Sequence, residues 1–415
     1  MGKVNAPRVA YLTQAFPLFS LTFMVDEIES MRAMGVQLSL FSVRRPADDD
    51  YPPIFQRYRD ECVYVLPMRP LKHVLSHLAW LVTQPRRYLS CWAYVAKAPG
   101  CGWRERLKLA VYLCEAVALA GTLRPAQFDH LHVHFLFGAT LVAIFLKRLT
   151  GLPYSATGHG SDFLVEHWLL PDKVGEAEFV RIGTRFNASF LRGLLPPAQE
   201  GKLFVLPFGI DARAQVGGPE AVAAQVAARA NPRVKIINVG RLVWQKGQDT
   251  LLDAAALLAD RGLPFELEII GEGELRAALQ DQATRLGLQQ RVTFRGALPR
   301  EDVLAAMRQA DVFAFPSVSE GFGIVLLEAM ACGLAIVAND IMGVTEIVSD
   351  GENGLIDREK TAASLADKLE ALVTDTPLRQ RLQRAALQSA LKDFDHHEKV
   401  GRLKERMFAG SAGTA

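Results

Sequence analysis

Short apolar runs that are typical of strands alternate with helical stretches along this chain. In the first half, the runs 9–12 and 36–42 flank a helical stretch at 26–34. Four further strand-like runs follow at 131–134, 154–157, 179–182 and 203–206. Because these runs are short and largely apolar, the alternation predicts a mostly parallel sheet whose two faces are covered by helices.

A second and more regular alternation begins at Val234. The predicted strands are 234–239, 265–270, 291–295, 311–315 and 334–338, with helices between them near 247–260, 274–286, 301–309 and 323–332. A chain of 415 residues is too long for one ordinary core. We therefore predict an α/β fold with two Rossmann-like, doubly wound domains, 1–211 and 232–392, facing a central cleft. A last helix, at about 396–410, is expected to pack back on the first domain.

The composition excludes several classes of protein. Half of the residues are apolar, 22% are charged and the net charge is +2, so neither a disordered chain nor a nucleic-acid partner is indicated. The five cysteines form no C-x-x-C pair and no zinc-type spacing. No apolar leader precedes a cleavage site, and no apolar run reaches the ~18 residues of a membrane-spanning helix. We expect a cytoplasmic protein with reduced thiols.

The segment 239–247, Val-Gly-Arg-Leu-Val-Trp-Gln-Lys-Gly, follows a predicted strand and opens a helix. Gly240 allows the backbone to approach a ligand closely. Arg241 and Lys246 bring two cations to a helix N-terminus, an arrangement that suits a diphosphate. The alternative interpretation is a solvated basic turn.

The segment 319–328, Ser-Glu-Gly-Phe-Gly-Ile-Val-Leu-Leu-Glu, connects a later strand to its helix. Glu320 and Glu328 suit a hydroxyl-rich ligand, because carboxylates accept hydrogen bonds from sugar O–H groups. Gly321 and Gly323 free the loop backbone to present N–H groups to phosphate. The alternative is a capping Glu320 and a surface Glu328, although an unpaired carboxylate in this apolar helix would be costly.

In this order and context, Arg241, Lys246 and the pair of Glu320 and Glu328 resemble the family-4 retaining glycosyltransferases of GT-B fold. The resemblance covers nearly all of 232–392, and the segments 269–275, 292–296, 343–348 and 350–355 support it. It implies a nucleotide diphosphate sugar as donor substrate, with no separate cofactor and no metal.

The resemblance also implies a role for each matching position. Arg241 and Lys246 would hold the diphosphate, Glu320 the sugar hydroxyls and Glu328 the ribose. Backbone amides around Phe322 would face phosphate and sugar, and the loop near Arg295 and Gly296 would meet the base. The implied donor-binding set is Gly240, Arg241, Lys246, Gly296, Gly321, Phe322, Gly323, Ile324 and Glu328.

Two histidine motifs follow predicted strands in the first half. His159 lies in Thr-Gly-His-Gly-Ser-Asp at 157–162, and by the same resemblance it sits beside the transferred sugar. We therefore count His159 with Arg241, Lys246 and Glu320 as catalytic. His134, at the end of a neighbouring strand, is a candidate for the acceptor side. A structural role is the alternative for either histidine.

The loop 16–23 resembles the S-E-T-F loop of one branch of these enzymes, which acts on exopolysaccharide, colanic-acid-type or lipopolysaccharide precursors. Leu21 stands where that branch commonly has glutamate, and the glycine pair of other branches is absent. The run Asp48-Asp49-Asp50 contains the D-x-D spacing of a metal-binding transferase. It lies among arginines and prolines, so we interpret it as a solvated acidic loop.

The segment 66–125 combines basic residues with tryptophans. It holds nine Lys or Arg and two acids, a balance of 9 − 2 = +7, and three of the five tryptophans. This pattern suits an anionic membrane surface, and it would make the protein peripheral at the inner face of the membrane. An ordinary helical layer over the first sheet is the alternative.

Together these features predict a metal-independent, retaining glycosyltransferase of cell-surface polysaccharide synthesis. Its acceptor would be a saccharide or a lipid-linked saccharide. Two alternatives stay open: another GT-B enzyme, either a nucleotide-sugar epimerase or a phosphorylase, and a non-catalytic relative that binds nucleotide sugars. A phosphorylase needs a lysine that carries pyridoxal phosphate, and no such context is evident in the sequence.

Overall fold

The computed structural model describes residues 6–18, 21–46, 53–68, 70–211, 220, 222, 224 and 233–409. The chain divides into two compact units. Unit 1 comprises the described residues of 1–183, 188–206 and 400–415, and unit 2 comprises those of 184–187 and 207–399.

Unit 1 is built on a seven-stranded parallel sheet in the order β3-β2-β1-β4-β5-β6-β7. The succession of strands reverses between β1 and β4, which makes their carboxyl ends the expected ligand edge. The strands are β1 (Arg8–Ala15), β2 (Gln37–Arg44), β3 (Val63–Tyr64), β4 (His130–His134), β5 (Tyr154–Gly158), β6 (Val180–Ile182) and β7 (Leu203–Val205).

Helices α1 to α9 lie between these strands along the described part of the first half, with three of them between β3 and β4 and two between β5 and β6. They are α1 (Thr22–Ala33), α2 (Pro53–Glu61), α3 (Pro70–Thr83), α4 (Pro85–Lys97), α5 (Trp103–Leu123), α6 (Gly138–Thr150), α7 (Ser161–Leu164), α8 (Leu170–Glu176) and α9 (Arg185–Arg192). Helix α6 ends at Gly151, whose left-handed backbone is a common helix stop.

The core of unit 1 lies on both faces of its sheet. Along β1, Ala10 and Leu12 pack into a cluster with α5 and α6, whereas Val9 and Tyr11 pack into a second cluster with α1. This division follows from the pleat, since successive strand residues point to opposite faces. Val400, Leu403 and Met407, near the C-terminus, join the second cluster.

Unit 2 is built on a six-stranded parallel sheet in the order β10-β9-β8-β11-β12-β13. Its strands are β8 (Val234–Val239), β9 (Phe265–Ile270), β10 (Val292–Gly296), β11 (Val312–Phe315), β12 (Ala335–Asn339) and β13 (Leu355–Asp357). Its helices are α10 (Gln248–Asp260), α11 (Arg276–Arg285), α12 (Arg300–Gln309), α13 (Ile324–Ala331), α14 (Ala362–Thr374) and α15 (Thr376–Lys392), and a last helix, α16 (His396–Phe408), continues into unit 1.

The succession of strands in unit 2 reverses between β8 and β11. Both strands are buried, and their residues pack with α10 and α14 into one apolar cluster. Every strand pair in the two sheets is parallel, as the alternation in the sequence predicts. The reversal brings the loops after β8 and β11 to the same edge, and these two loops carry most of the donor-binding residues predicted from the sequence.

Candidate functional site

The loops after β8 and β9 in unit 2 pack closely backbone to backbone. Gly240 donates its N–H to the carbonyl of Ile270 at 3.0 Å, and Leu242 donates to that of Glu272 at 2.9 Å. A Cβ on Gly271 would overlap the Gly240 carbonyl, and one on Gly273 would overlap that of Leu242. Glycine is required at both positions because any side chain would push these two ligand-edge loops apart.

Lys246 and Glu320 form an ion pair between the loops after β8 and β11. Both side chains are largely buried, and the Lys246 ammonium lies 5.8 Å from the centre of the Phe315 ring. The other carboxylate oxygen of Glu320 accepts the Gly321 N–H at 3.1 Å. The two residues were predicted separately, one for phosphate and one for sugar, and the fold of unit 2 brings them into direct contact.

Helix α13 begins immediately after this pair. Its N-cap is Gly323, with φ +87°, and no side chain of the described residues caps the helix. Its first turn has no acidic residue, so no negative side chain there neutralises the positive end of the helix dipole. The backbone from Gly321 through Phe322 to Ile324 therefore leads into a helix N-terminus, a setting that favours an anion.

Glu328 lies one turn inside α13 and is mostly buried. Its Oε1 accepts a hydrogen bond from Nε of Arg300 at 3.0 Å, where Arg300 is the first residue of α12. The structure thus supplies a cationic partner for this carboxylate. Arg300 could not be found from the sequence, because no motif spacing links it to Glu328.

Gly296 ends β10 and has φ +74°. Its carbonyl accepts the N–H of Gly271 at 2.9 Å, which joins the ends of β9 and β10. Glu272 forms an ion pair with Arg276 beside Gly296, and Arg295 pairs with Glu268 at 3.0 Å. The position predicted for the nucleoside base is therefore a glycine edge with charged neighbours.

Arg241 is exposed at the start of the loop after β8. Its guanidinium group forms no hydrogen bond or ion pair with any of the residues that the structure describes. Its carbonyl instead accepts from the buried Gln248 side chain at 3.1 Å, which fixes the backbone while the side chain stays exposed to solvent. Unit 2 thus brings together Gly240, Arg241, Lys246, Glu320 and the start of α13.

His159 in unit 1 follows β5 and stands among aromatic rings. Its ring centre lies 4.1 Å from that of Phe135 and 4.9 Å from that of Phe23. Burial lowers the pKa of His159 well below its usual value, and the nearby His134 and Arg181 lower it further. The ring is therefore neutral at neutral pH.

The loop that carries His159 is held by Asp162. This fully buried carboxylate accepts the backbone N–H of His159 at 2.9 Å and that of Leu136 at 2.7 Å. It thereby ties the loop after β5 to the loop after β4. In that second loop, Phe135 has φ +71°, a strained conformation for a bulky residue and one that is frequent at functional sites.

His134 is completely buried, so the expectation that it lines the acceptor side is wrong. Its Nδ1 lies 3.3 Å from Nε2 of His159, and its Nε2 lies 3.2 Å from a carboxylate oxygen of Glu27. Glu27 is buried on α1 and is paired with Arg181 at 2.8 Å. Neither Glu27 nor Arg181 was predicted from the sequence, since each belongs to an ordinary-looking helix or strand.

Three further segments that the sequence analysis singled out lie outside the strand ends just described. Asp48-Asp49-Asp50 lies outside the described residues, as do the two central residues of the loop 16–23. Of the segment 66–125, the described part forms α3, α4 and α5. Among the described helices, none is long and apolar enough to cross a membrane.

Comparison with known proteins identifies relatives of this chain. Residues 223–389 match the family described as glycosyl transferases group 1. A D-inositol 3-phosphate glycosyltransferase from Arthrobacter sp. (strain FB24) is 30% identical over 288 residues, which are 63% of this chain and 66% of that protein. An alpha-D-kanosaminyltransferase from Streptomyces kanamyceticus is 27% identical over 270 residues, 61% of this chain and 69% of the relative.

Solved structures resemble the fold over almost the whole chain. Anabaena HepE, crystallised with UDP and glucose, aligns with a TM-score of 0.69 at 19% identity and covers 97% of this chain and 100% of its own. Sucrose-phosphate synthase from Thermosynechococcus elongatus aligns with a TM-score of 0.68 at 19% identity, covering 97% and 99%. Both alignments support the predicted GT-B architecture of two parallel-sheet α/β domains.

Proposed function

We propose that this chain is a retaining glycosyltransferase, because residues 223–389 match the group 1 glycosyl transferases and the fold is of GT-B type. It transfers a sugar from a nucleotide diphosphate donor to a saccharide or lipid-linked saccharide acceptor. The process it serves is the synthesis of a cell-surface polysaccharide, as the resemblance of the loop 16–23 to the exopolysaccharide branch suggests.

In this proposal the donor binds at the strand ends of unit 2. The diphosphate lies against Arg241, Lys246 and the N-terminus of α13, where two cations and backbone N–H groups favour a double negative charge. Glu320 accepts hydrogen bonds from the sugar hydroxyls and Glu328 accepts them from the ribose. The base lies near Gly296. UDP is the first nucleotide to test, since HepE was crystallised with it.

The chemistry is electrostatic stabilisation of a leaving group. As the anomeric bond breaks, negative charge grows on the diphosphate, and Arg241 and Lys246 stabilise that charge more strongly than they stabilise the bound donor. The acceptor hydroxyl attacks from the face that the diphosphate leaves, and its proton passes to the departing phosphate. His159 acts beside the transferred sugar. No separate cofactor and no metal take part.

The observation that carries this proposal is the ion pair between Lys246 and Glu320. It places a phosphate-binding cation and a hydroxyl-binding anion in contact, and a sugar joined directly to a diphosphate has both groups as neighbours. The test is a screen of the purified protein against UDP-, GDP- and ADP-sugars, without acceptor or added metal. Each donor is scored by the rise in melting temperature and by slow hydrolysis.

We expect one donor to give both signals. Arg285→Ala serves as the matched control for Arg241→Ala, because each removes one exposed arginine of unit 2, and Arg285 ends α11 outside the predicted donor-binding set. Arg241→Ala should abolish the thermal shift, whereas Arg285→Ala should keep most of it. If no donor raises the melting temperature, or if Arg241→Ala responds like wild type, the donor-site assignment is wrong.

The acceptor side of the proposal includes contact with a membrane through 66–125. None of the described residues of α3 is buried, and Leu71, Val74, Leu75, Leu78, Leu81 and Val82 are all exposed. Their spacing of three and four residues forms one apolar stripe along the helix. Exposed Trp103 and Leu107 on α5 add to the apolar surface. A stripe of this size is unusual on a monomeric soluble surface.

We infer that the occupant of this stripe is an anionic bilayer. The segment carries a charge balance of +7, which is complementary to acidic headgroups, whereas a second copy of the chain would bring the same positive charge against it. Contact of this kind would bring the site to a lipid-linked acceptor. The protein would then be peripheral to the membrane rather than inserted across it.

Vesicle co-sedimentation tests the membrane contact. We expect binding to vesicles that contain phosphatidylglycerol, weaker binding at high salt, and little binding to pure phosphatidylcholine. Leu75→Glu with Leu78→Glu should abolish binding. Val165→Glu, which changes an exposed valine of unit 1 outside the segment, is the control and should bind normally. Absence of binding by wild type, or concentration-dependent dimers that the Leu75→Glu/Leu78→Glu variant abolishes, would contradict the assignment.

A further inference from the structure

Helix α3 faces the rest of unit 1 mainly with polar side chains. None of its described residues is fully buried, and its less exposed positions are His73, Ser76, His77 and Trp80. Their spacing of three and four residues places them on one face of the helix, opposite the apolar stripe. Trp80 packs against the core of unit 1, but the other three residues of this face are polar. Apolar packing therefore explains only part of how α3 is held.

The two histidines of this face meet through their ring nitrogens. Nε2 of His73 lies 3.1 Å from Nε2 of His77, and the two ring planes cross at 86°. Histidines four residues apart on one helix are a common pair of zinc ligands. Two nitrogens that bind one tetrahedral zinc ion, each at about 2.0–2.1 Å, lie about 3.3 Å apart. The observed separation is close to that of two nitrogens on the same ion.

Cys114 on α5 adds a sulfur donor to this pair. One nitrogen of each histidine and the Cys114 Sγ lie within 4.8 Å of one another. A nitrogen and a sulfur on one zinc ion lie about 3.6 Å apart, so side-chain shifts of about 1 Å complete the geometry. All three side chains are partly exposed, which leaves a path for the ion and room for water as a fourth ligand.

The surroundings of the two rings differ from those of an ordinary structural histidine. Nδ1 of His77 lies 2.8 Å from the Tyr88 hydroxyl on α4, and a contact of this kind at the far nitrogen is what orients a metal-binding histidine. Nδ1 of His73 is buried and has no hydrogen-bond partner among the described residues. The buried nitrogens of a structural histidine are normally satisfied. Hydrogen bonding within the described residues therefore accounts for only part of the His73 ring.

A second group of metal-ligating side chains among the described residues is already committed to other partners. Glu27, His132 and His134 also lie within 4.8 Å of one another. Glu27, however, is paired with Arg181 at 2.8 Å, and both ring nitrogens of His132 contact hydroxyls of β5. A guanidinium beside the carboxylate would repel a metal cation. The group on α3 and α5 is therefore the better candidate for a metal site.

We propose that His73, His77 and Cys114 bind a zinc ion that ties α3 to α5. Two imidazoles and a thiolate suit zinc, whereas magnesium and calcium prefer oxygen ligands. On binding, the ion takes the place of the thiol proton, which passes to solvent. The site uses no residue of the proposed reaction, which stays metal-independent. The inference therefore goes beyond the proposed function and does not depend on it.

Metal titration of the full chain tests the site directly. The purified protein is freed of metal with a chelator, dialysed, and titrated with zinc chloride in a calorimeter and with cobalt(II) in a spectrophotometer. We expect one zinc ion per chain with a micromolar or lower Kd. Cobalt should give the visible bands of a four-coordinate ion and the near-ultraviolet charge-transfer band of a thiolate ligand. Absence of zinc binding by wild type, or a cobalt complex without the thiolate band, would overturn the proposal.

Conservative variants identify the ligands. Cys114→Ser should remove the thiolate band, and Cys114→Ser and His77→Gln should each raise the Kd for zinc at least about tenfold, since even the outer partners of a metal site contribute this much. Cys101→Ser and His167→Gln are the matched controls, because they change a partly exposed cysteine and an exposed histidine of unit 1 outside the group. Both controls should bind zinc like wild type, and a melting curve checks that each variant is folded. An unchanged Kd in Cys114→Ser would place the metal elsewhere and overturn the assignment.

The attachment of α3 gives a readout that needs no activity. Lys72 is exposed on α3, so trypsin can cleave after it when the helix opens. Zinc at about ten times its Kd should make this opening about tenfold rarer, because the ion binds only the closed arrangement. Cleavage after Lys72 should therefore slow about tenfold in wild type but not in Cys114→Ser. Equal rates with and without zinc would show that the ion does not tie α3 to α5.

The outcomes separate this inference from the proposed function. A chain that turns over no donor but binds zinc through Cys114 would refute the proposed function and leave the metal site standing. A chain that transfers sugar but binds no zinc would do the reverse.

Discussion

Lys246 and Glu320 form a largely buried ion pair at the ends of two neighbouring strands of unit 2. Each residue therefore compensates the charge of the other when no donor is present. In the proposed donor complex this balance changes, because the diphosphate would compete for the ammonium and the sugar hydroxyls would compete for the carboxylate. Under that proposal, one ligand engages both members of the pair.

Removal of either half should impair transfer severely. We expect Lys246→Ala and Glu320→Ala each to lower kcat by about 10²–10³-fold, because each removes a charge that faces the reacting centre. The double variant should lose less than the product of the two single losses, since the partners act as one unit. Steady-state transfer with a saturating donor measures these values. Strictly multiplicative losses would show that the two residues act independently.

Glu328 should affect donor binding more than chemistry. Its proposed contact is with the ribose, far from the anomeric carbon, so Glu328→Gln should raise the donor KM about tenfold with kcat nearly unchanged. Glu301→Gln changes an exposed carboxylate next to Arg300 on α12 and serves as the control, with an unchanged KM. A large fall in kcat for Glu328→Gln would place this carboxylate nearer to the reaction than we propose.

Gly271 should tolerate no side chain. In Gly271→Ala the new Cβ would overlap the Gly240 carbonyl, so the loops after β8 and β9 must separate. Gly287→Ala is the control, since Gly287 also has a positive φ but a Cβ there would meet no described atom within 4 Å. We expect Gly287→Ala to cost about 1 kcal/mol and Gly271→Ala several times more, together with loss of the donor-induced thermal shift. Equal costs would mean that backbone conformation, not crowding, requires the glycine.

Acid should destabilise unit 1 through His130. Burial lowers the pKa of this histidine from 6.5 to about 4. Between these two values the unfolded chain binds a proton that the folded chain does not, so stability is complete above about pH 6.5 and is lost as the pH falls toward 4. The shift corresponds to about 3 kcal/mol. Denaturant titrations followed by tryptophan fluorescence report mainly on unit 1, which holds four of the five tryptophans.

The control for this prediction is His130→Gln, whose amide can still reach Ser155 but does not titrate. The difference in unfolding free energy between wild type and variant should shrink, or reverse in favour of the variant, between pH 7 and pH 4.5. A difference that stays constant across this range would show that His130 does not resist protonation in the folded protein.

The sequence by itself determined the two parallel sheets and which residues of unit 2 make up the proposed donor site. Periodicity identifies strands locally, because a short buried strand between helices is apolar whatever lies beside it. The glycines and charges of 239–247 and 319–328 are close in sequence to strand ends, so their position at the edge of the sheet of unit 2 also follows. The pairing of strands β8 and β11 in the folded sheet added the ion pair of Lys246 and Glu320, two residues that lie 74 positions apart in the sequence.

The tertiary structure alone decided which polar residues of unit 1 support His159. Glu27 and Arg181 are 154 positions apart, and they meet only because α1 packs against the sheet that contains β6. In the sequence, Glu27 looks like an exposed helical carboxylate and Arg181 interrupts an apolar strand. A local sequence pattern predicts the secondary structure around a residue, but it does not predict its distant partner. Burying a charge is costly unless such a partner offsets the cost, so the burial of Glu27 and Arg181 could not be read from the sequence. For the same reason Arg300 behind Glu328 and Asp162 behind His159 became visible only in the folded chain.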